Sequence, residues 1–204
     1  MNIIFDFGNV IVNLDREGAI ERFRRLGFDV SNILSLTVQK GIFEQLELGL
    51  CTTEEWVEHI LQRSHRQEAT PEAVCQAWCS MLTDVPRRRL ETLQQLGREH
   101  HLSLLSNTNQ LHVDYSFDGH IRSQGFEPTE LFEHLFLSHE MHLAKPGREI
   151  FEKVLEVSGY QPEDTLFIDD SQVNCDAFAA LGVRTFCPQK PDEWLEYLGV
   201  IHNA

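Results

Sequence analysis

The sequence predicts an α/β protein: a Rossmann-like, doubly wound parallel sheet with an all-helical subdomain inserted into it. Three observations predict it. Short apolar runs recur at Asn2–Phe5, Leu102–Leu105 and Thr165–Ile168, and each ends in a polar cluster. From Arg87 onward strand-like and helix-like segments alternate, the βαβα rhythm of a parallel sheet. Between the first two runs, residues 15–86 carry helical patterning without a convincing strand.

The elements follow in order. After the first run come a Gly-Asn turn and a second apolar stretch, Val10–Leu14. Ile20, Phe23 and Leu26 then recur at helical spacing. Thr53-Glu54-Glu55-Trp56 reads as a helix start with acids in the first turn, and Trp56, Ile60 and Leu61 share a face. Thr70-Pro71-Glu72 starts another helix, with Pro71 at its first position. Leu90, Leu93 and Leu96 mark a helix that Gly97 ends. The run Leu102–Leu105 is followed by a stretch expected to be irregular through Pro128, then a strand at His134–Leu137. A helix over Arg148–Ser158 stops at Gly159, and one over Gln172–Leu181 precedes Gly182. Val183–Cys187 reads as the last strand. The division expected is a core of residues 1–14 and 87–204 with an inserted helical unit at 15–86.

Bulk properties narrow the function. The 204 residues are 42% hydrophobic, enough for an ordinary core. A net charge of −15 argues against nucleic-acid binding, which needs basic patches to displace counterions. It leaves room for a small phosphorylated substrate, because a bound divalent cation inverts the local field. No apolar run is long enough to cross a bilayer, and the N-terminus lacks the pattern of a signal peptide. The cysteines (Cys51, Cys75, Cys79, Cys175 and Cys187) are odd in number and form no CxxC pair, as expected in a reducing cytoplasm. Cys75 and Cys79 read as small residues facing a core. Oligomeric state is not readable.

Parallel strands put their carboxyl ends along one edge, where ligands bind. Asp6, Ser106-Asn107 and Asp169-Asp170 should therefore meet there, with Lys145 arriving from the intervening loop. Crowded carboxylates repel unless a cation or a shared proton neutralises them. Hard oxygen ligands favour Mg²⁺. Lys145 suits phosphate oxygens, Ser106 offers a hydroxyl, and the amides near Asn107 and Thr108 can point at an anion as a helix begins. Nucleophile, metal, cation and hydroxyl together describe attack of a carboxylate on phosphorus, giving an aspartyl-phosphate that water then hydrolyses. Taken singly, each residue reads more simply as a turn, a cap or a solvated charge. The ordered set is far more specific than any member.

That ordered set resembles the haloacid dehalogenase-like superfamily along nearly the whole chain. Its motifs are FDFGNV with Asp6, LLSNTN with Ser106, AKPG with Lys145, and FIDDSQVN with Asp169-Asp170. The helical insertion resembles the small cap of subfamily I, and the motifs are similar to a bacterial sugar-phosphate phosphatase branch that includes α-glucose-1-phosphate phosphatases. The resemblance implies Asp6 as nucleophile and Ser106, Asn107 and Lys145 at the phosphoryl group. It implies Mg²⁺ held by Asp6, the Gly8 carbonyl, Asp169 and Asp170, with Asn174 in support. Family phosphatases usually carry a second Asp two residues after the nucleophile as general acid and base, and here that position is Gly8. General acid catalysis supplies about 10²–10⁴-fold, so a slower enzyme is expected. The simplest structural reading of Gly8 is a turn needing an unusual backbone angle.

Phe43, Glu44, Glu47 and Gly49 fall where the cap's specificity segment tends to lie, though a solvated helix end is the plainer reading. His142 stands in a stretch that often holds Gly, and a packing or surface role is expected of it. His139 and His142 form an HxxH too sparse for a metal site. His59, His65 and His101 read as surface residues. The rival readings on the same scaffold are a metal-free dehalogenase-type hydrolase attacking carbon and a non-catalytic binding protein. The acid pair opposes the first, and retention of nucleophile, lysine and acids opposes the second.

Overall fold

A computed structural model describes residues 1–31, 40–64, 66 and 69–199. His65 and part of the 15–86 segment lie outside the described residues. Strands β1 (Asn2–Phe5), β2 (His101–Ser106), β3 (His134–Leu137), β4 (Thr165–Ile168) and β5 (Arg184–Phe186) form one sheet in the order β3-β2-β1-β4-β5. Each neighbouring pair is parallel. Phe5 lies beside Leu104 on one side and Ile168 on the other, so β1 and β4 end level while β2 runs two residues further, to Ser106. The chain runs from β1 out to β3 and returns to the other side of β1 for β4, which opens a crevice at the carboxyl ends there.

The helices in chain order are α1 (Arg16–Arg25), α2 (Ile42–Glu47), α3 (Thr53–Leu61), α4 (Pro71–Cys79), α5 (Arg87–Leu96) and α6 (Gln110–Ser116). They continue with α7 (Pro128–Leu131), α8 (Ser138–Met141), α9 (Arg148–Ser158), α10 (Gln172–Ala179) and α11 (Glu193–Tyr197). Strand alternation splits the apolar side chains between two layers. Ile3, Phe5, Leu104 and Ile168 face α5, α6, α7 and α11, whereas Ile4, Leu105 and Phe167 face α9 and α10. Among the described residues no helix is long and apolar enough to cross a membrane.

Helices α1 to α4 enclose a hydrophobic cluster of their own, centred on Phe23, Phe43, Trp56 and Trp78, all fully buried. Phe43 sits edge-on to Trp78 with centroids 5.0 Å apart and to Trp56 at 5.3 Å. Such pairs add about 0.5–1.5 kcal/mol to the burial of their area. Helix α3 begins at Thr53, as the sequence predicts, behind a Thr52–Glu55 capping box. Thr70 caps α4, with Pro71 at its first turn as expected.

Several sets of contacts, among them the stacking of His112 on Trp78, join the helical unit to the core. The chain segments that cross between them zip together through Asn13 N–H to Asp84 O (2.8 Å), Thr83 N–H to Asn13 O (2.9 Å) and Asp15 N–H to Met81 O (2.7 Å). The end of α2 also docks on α8: Ser138 Oγ donates to the Glu47 carbonyl at 2.6 Å, and His142 Nδ1 donates to the Leu48 carbonyl at 2.8 Å.

The stretch expected to be irregular is largely helical. After α6 it continues as a π-helical turn, Phe117–Ile121, and a 3₁₀ turn, Arg122–Gln124. Asn109 caps α6 by accepting the His112 amide proton, and Val113, Phe117 and Ile121 recur every four residues into the core. Gly119 and a run of weak helix formers masked that pattern. Helix α11 was not expected either; it is anchored by Trp194, whose indole N–H donates to the Val10 carbonyl at 3.0 Å. Helix α10 stops at Ala179, two residues early, and β5 is trimmed to three residues.

Candidate active site

Asp6 continues the line of β1, its amide donating to the Ile168 carbonyl at 2.8 Å. Asp169 and Asp170 leave β4 beside it. One carboxylate oxygen from each of the three lies within 4.8 Å of the others. Lys145 reaches in from the loop before α9, across a cis Lys145–Pro146 bond. Its Nζ donates to Asp6 Oδ1 (2.7 Å), Asp169 Oδ2 (2.7 Å) and the Leu105 carbonyl (3.0 Å), so each of its protons has an acceptor. Asn107 fastens that loop: its Nδ2 donates to the Lys145 carbonyl and its Oδ1 accepts the Lys145 amide, both at 2.9 Å.

Asp169 is fully buried and held on every side. Ser171 N–H and Asn174 Nδ2 donate to its Oδ1 at 2.8 and 3.0 Å, and Asn174 reaches Oδ2 at 3.1 Å. Asp170 stands at the mouth, where Asn9 Nδ2 donates to it at 2.8 Å. Burial pushes the Asp6 carboxyl up to about 7, with Asp169 and Asp170 adding repulsion that Lys145 only partly offsets. Burial also raises Asp170. Burial works to lower Lys145, but Asp169 and Asp6 outweigh it and hold the ammonium above its usual range. Three carboxylates against one ammonium leave the cluster short of positive charge. Hard oxygens, close spacing and that deficit fit a divalent cation such as Mg²⁺.

A cavity of about 100 Å³ opens over these groups. Asp6, Ser106, Lys145 and Asp170 line it from the sheet edge, and Arg16 and Glu47 from the helical unit. Burial pushes the Glu47 carboxyl up to about 8 against the pull of Arg16. His112 also lines the cavity; it stacks on Trp78 at 4.4 Å, donates from Nε2 to the Trp78 carbonyl at 3.2 Å, and burial drives its pKa down to about 3.

Several expectations change. Gly8 lines the cavity, but the left-handed backbone belongs to Asn9 (φ 55°), not to Gly8. The Thr108 amide does not point at an anion, because it donates to Ser138 Oγ at 2.8 Å. Glu47 is no solvated helix end: it is buried, whereas Glu44 is exposed and Phe43 belongs to the aromatic cluster. Gly49 abuts α8 instead of the cavity. His142 is exposed and turned to Leu48, as a packing residue. Among the described residues Asp6, Asp169 and Asp170 form the one cluster with metal-binding spacing, so the HxxH stays outside it. His101 is exposed and pairs with Glu133, while His59 is half-buried. The sequence did not single out Asn9, Arg16 or His112. A polar residue in the Gly-Asn turn was the one signal for Asn9; Arg16 and His112 carried none.

Comparison with known proteins bears on this geometry. The family model described as haloacid dehalogenase-like hydrolase matches residues 1–182. The chain is 35% identical over its full length to the D-ribitol-5-phosphate phosphatase of Bacteroides thetaiotaomicron, covering 98% of that protein. A mutant HAD family enzyme of the same bacterium, solved with magnesium and inorganic phosphate, superposes with a TM-score of 0.91 at 35% identity, over 97% of this chain and 98% of the other. A predicted HAD-like family hydrolase from Porphyromonas gingivalis gives 0.88 at 30% identity, over 98% and 96%.

Proposed function

The chain belongs to the haloacid dehalogenase-like hydrolase family, and on that premise we propose that it is a Mg²⁺-dependent phosphatase acting on a small phosphorylated metabolite, a sugar or sugar-alcohol phosphate. The observation that carries this reading is the meeting of Asp6, Lys145 and Asp170 at one cavity beneath a helical cap formed within residues 15–86. The names of the relatives, one a ribitol-phosphate phosphatase and one bound to magnesium and phosphate, support the substrate class and the metal.

In this reading Asp6 Oδ attacks phosphorus in line, the bond to the leaving oxygen breaks, and an aspartyl-phosphate forms. Ser106, the Asn107 amide and Lys145 hold the phosphoryl oxygens. Asp6, Asp170 and the Gly8 carbonyl would hold Mg²⁺, which when bound offsets charge on the phosphoryl group. Asp169 joins them less directly. Its oxygens already take donors from Lys145, Asn174 and Ser171, filling the sites a carboxylate offers. It therefore aims Lys145, with Asn174 in support. The cavity is small, and Arg16 and Glu47 offer polar groups on its helical side, which suits a hydroxylated leaving group of a few carbons.

The test is phosphate release from a panel of sugar and sugar-alcohol phosphates, with Mg²⁺ and with EDTA. Release that needs Mg²⁺ and is lost in Asp6→Asn is the expected result. No release, or equal release from Asp6→Asn, overturns the proposal.

A further inference from the structure

Gly8 has no side chain to give a proton, yet the alkoxide leaving a sugar phosphate needs one. Resting on the phosphatase reading above, we propose that Glu47 supplies it: this buried residue, lining the cavity from the helical unit, is the general acid of the first step and the general base of the second. The argument begins with direction. An in-line displacement sends the leaving oxygen away from its nucleophile. Asp6 stands at the strand edge, so the leaving oxygen points to the cap, and Glu47 lines the cavity on that side.

Its backbone is fixed. The Glu47 carbonyl accepts from Ser138 Oγ at 2.6 Å, and the same Oγ accepts the Thr108 amide proton at 2.8 Å, two residues beyond Ser106. One hydroxyl thus ties the Glu47 backbone to the phosphate loop. The other candidates are poor donors. Arg16 keeps its proton. His112 is held neutral by burial. His142 is turned to the Leu48 carbonyl and His139 to Gln110. The charged groups acting on Glu47 are Arg16 from α1, Lys145 from the core loop and Glu44 on its own helix. Burial outweighs them and keeps the carboxyl protonated near neutral pH, with a pKa of about 8.

The steps balance. As the Asp6–phosphorus bond forms and the ester P–O bond breaks, the Glu47 proton passes to the leaving oxygen. The Glu47 carboxylate then takes a proton from water as that water's oxygen attacks phosphorus. The Asp6–phosphorus bond breaks, phosphate leaves, and Glu47 is again protonated.

Aryl phosphates isolate this role because they carry no hydroxyls to recognise. In Glu47→Gln, p-nitrophenyl phosphate should give a burst of one p-nitrophenolate per protein followed by slow turnover, since that leaving group needs no proton but hydrolysis of the intermediate needs the base. Phenyl phosphate should give no burst and turn over about 10²–10⁴-fold more slowly than with the native protein. Glu47→Asp should recover part of the turnover. In the native protein, kcat/KM for phenyl phosphate should fall above about pH 8, and that for p-nitrophenyl phosphate should not share this limb. Equal losses on both aryl phosphates without a burst, a change in KM alone, or identical basic limbs would overturn the assignment. A native protein that releases no phosphate from the sugar-phosphate panel or from either aryl phosphate, or that is active without Asp6, removes the phosphatase reading and this proposal with it.

Discussion

Lys145 is the residue on which the site's charge balance turns, since Asp6 and Asp169 both take its protons in a water-poor setting. Lys145→Met would strand two buried carboxylates, and the loss of one partner from such a cluster costs about 3–5 kcal/mol. Urea denaturation at neutral pH should show that loss, and it should shrink toward pH 5 as Asp6 takes up a proton. Asn174 lines the cavity and donates to both oxygens of Asp169, which aims Lys145, so Asn174→Ala should slow phosphate release about 10–100-fold. Lys145 was legible through its place in an ordered set with the polar clusters that close the apolar strands, and Asn174 through the resemblance those motifs carry. Arg16 and Glu47 carry no such mark. Their place over the cavity depends on how α1 and α2 dock, which is a property of tertiary packing and not of local spacing.

At the scale of elements, the docking of α2 on α8 sets the cavity roof. Gly49 follows α2 with φ 63°, and a Cβ there would lie 2.1 Å from the His139 carbonyl oxygen. Backbone cannot yield as a side-chain tip does, so Gly49→Ala should cost about 1 kcal/mol or more and displace the cap. A drop in thermal midpoint together with weakened substrate saturation is the expected readout; a variant indistinguishable from native in both would show that this contact does not set the roof. Helix limits were clearest in the sequence where glycine or proline punctuated them, as at Pro71, Gly97 and Gly159. The segment after Asn109 was misread because its apolar residues keep a four-residue spacing through a π-helical turn rich in weak helix formers. Ser138, which joins cap and core, was invisible because a serine after a strand has many ordinary uses.

For the molecule as a whole, the acidic cluster couples metal, pH and stability. Asp6 and Glu47 have carboxyl pKa values raised by folding to about 7 and about 8. The stability they contribute is therefore present in acid and lost as pH climbs from the ordinary carboxylate range through those values. A divalent ion compensates where Asp6 is ionised. Mg²⁺ should thus raise the thermal midpoint more near pH 8 than near pH 5, with a gain of about 2.7 kcal/mol at a hundredfold excess over Kd, reversed by EDTA. The parallel order of the sheet was readable because strand-helix alternation admits few topologies; the shape of the space between cap and core was not, since no local pattern encodes it. The central claim is that Asp6 carries the phosphoryl group between substrate and water. Acid-quenching the protein during turnover of a phosphate monoester with Mg²⁺ and mapping peptides by mass spectrometry tests it most directly. A phosphoryl adduct on Asp6, absent from Asp6→Asn, is the predicted result, and turnover with no adduct there, or with one on another residue, would contradict it.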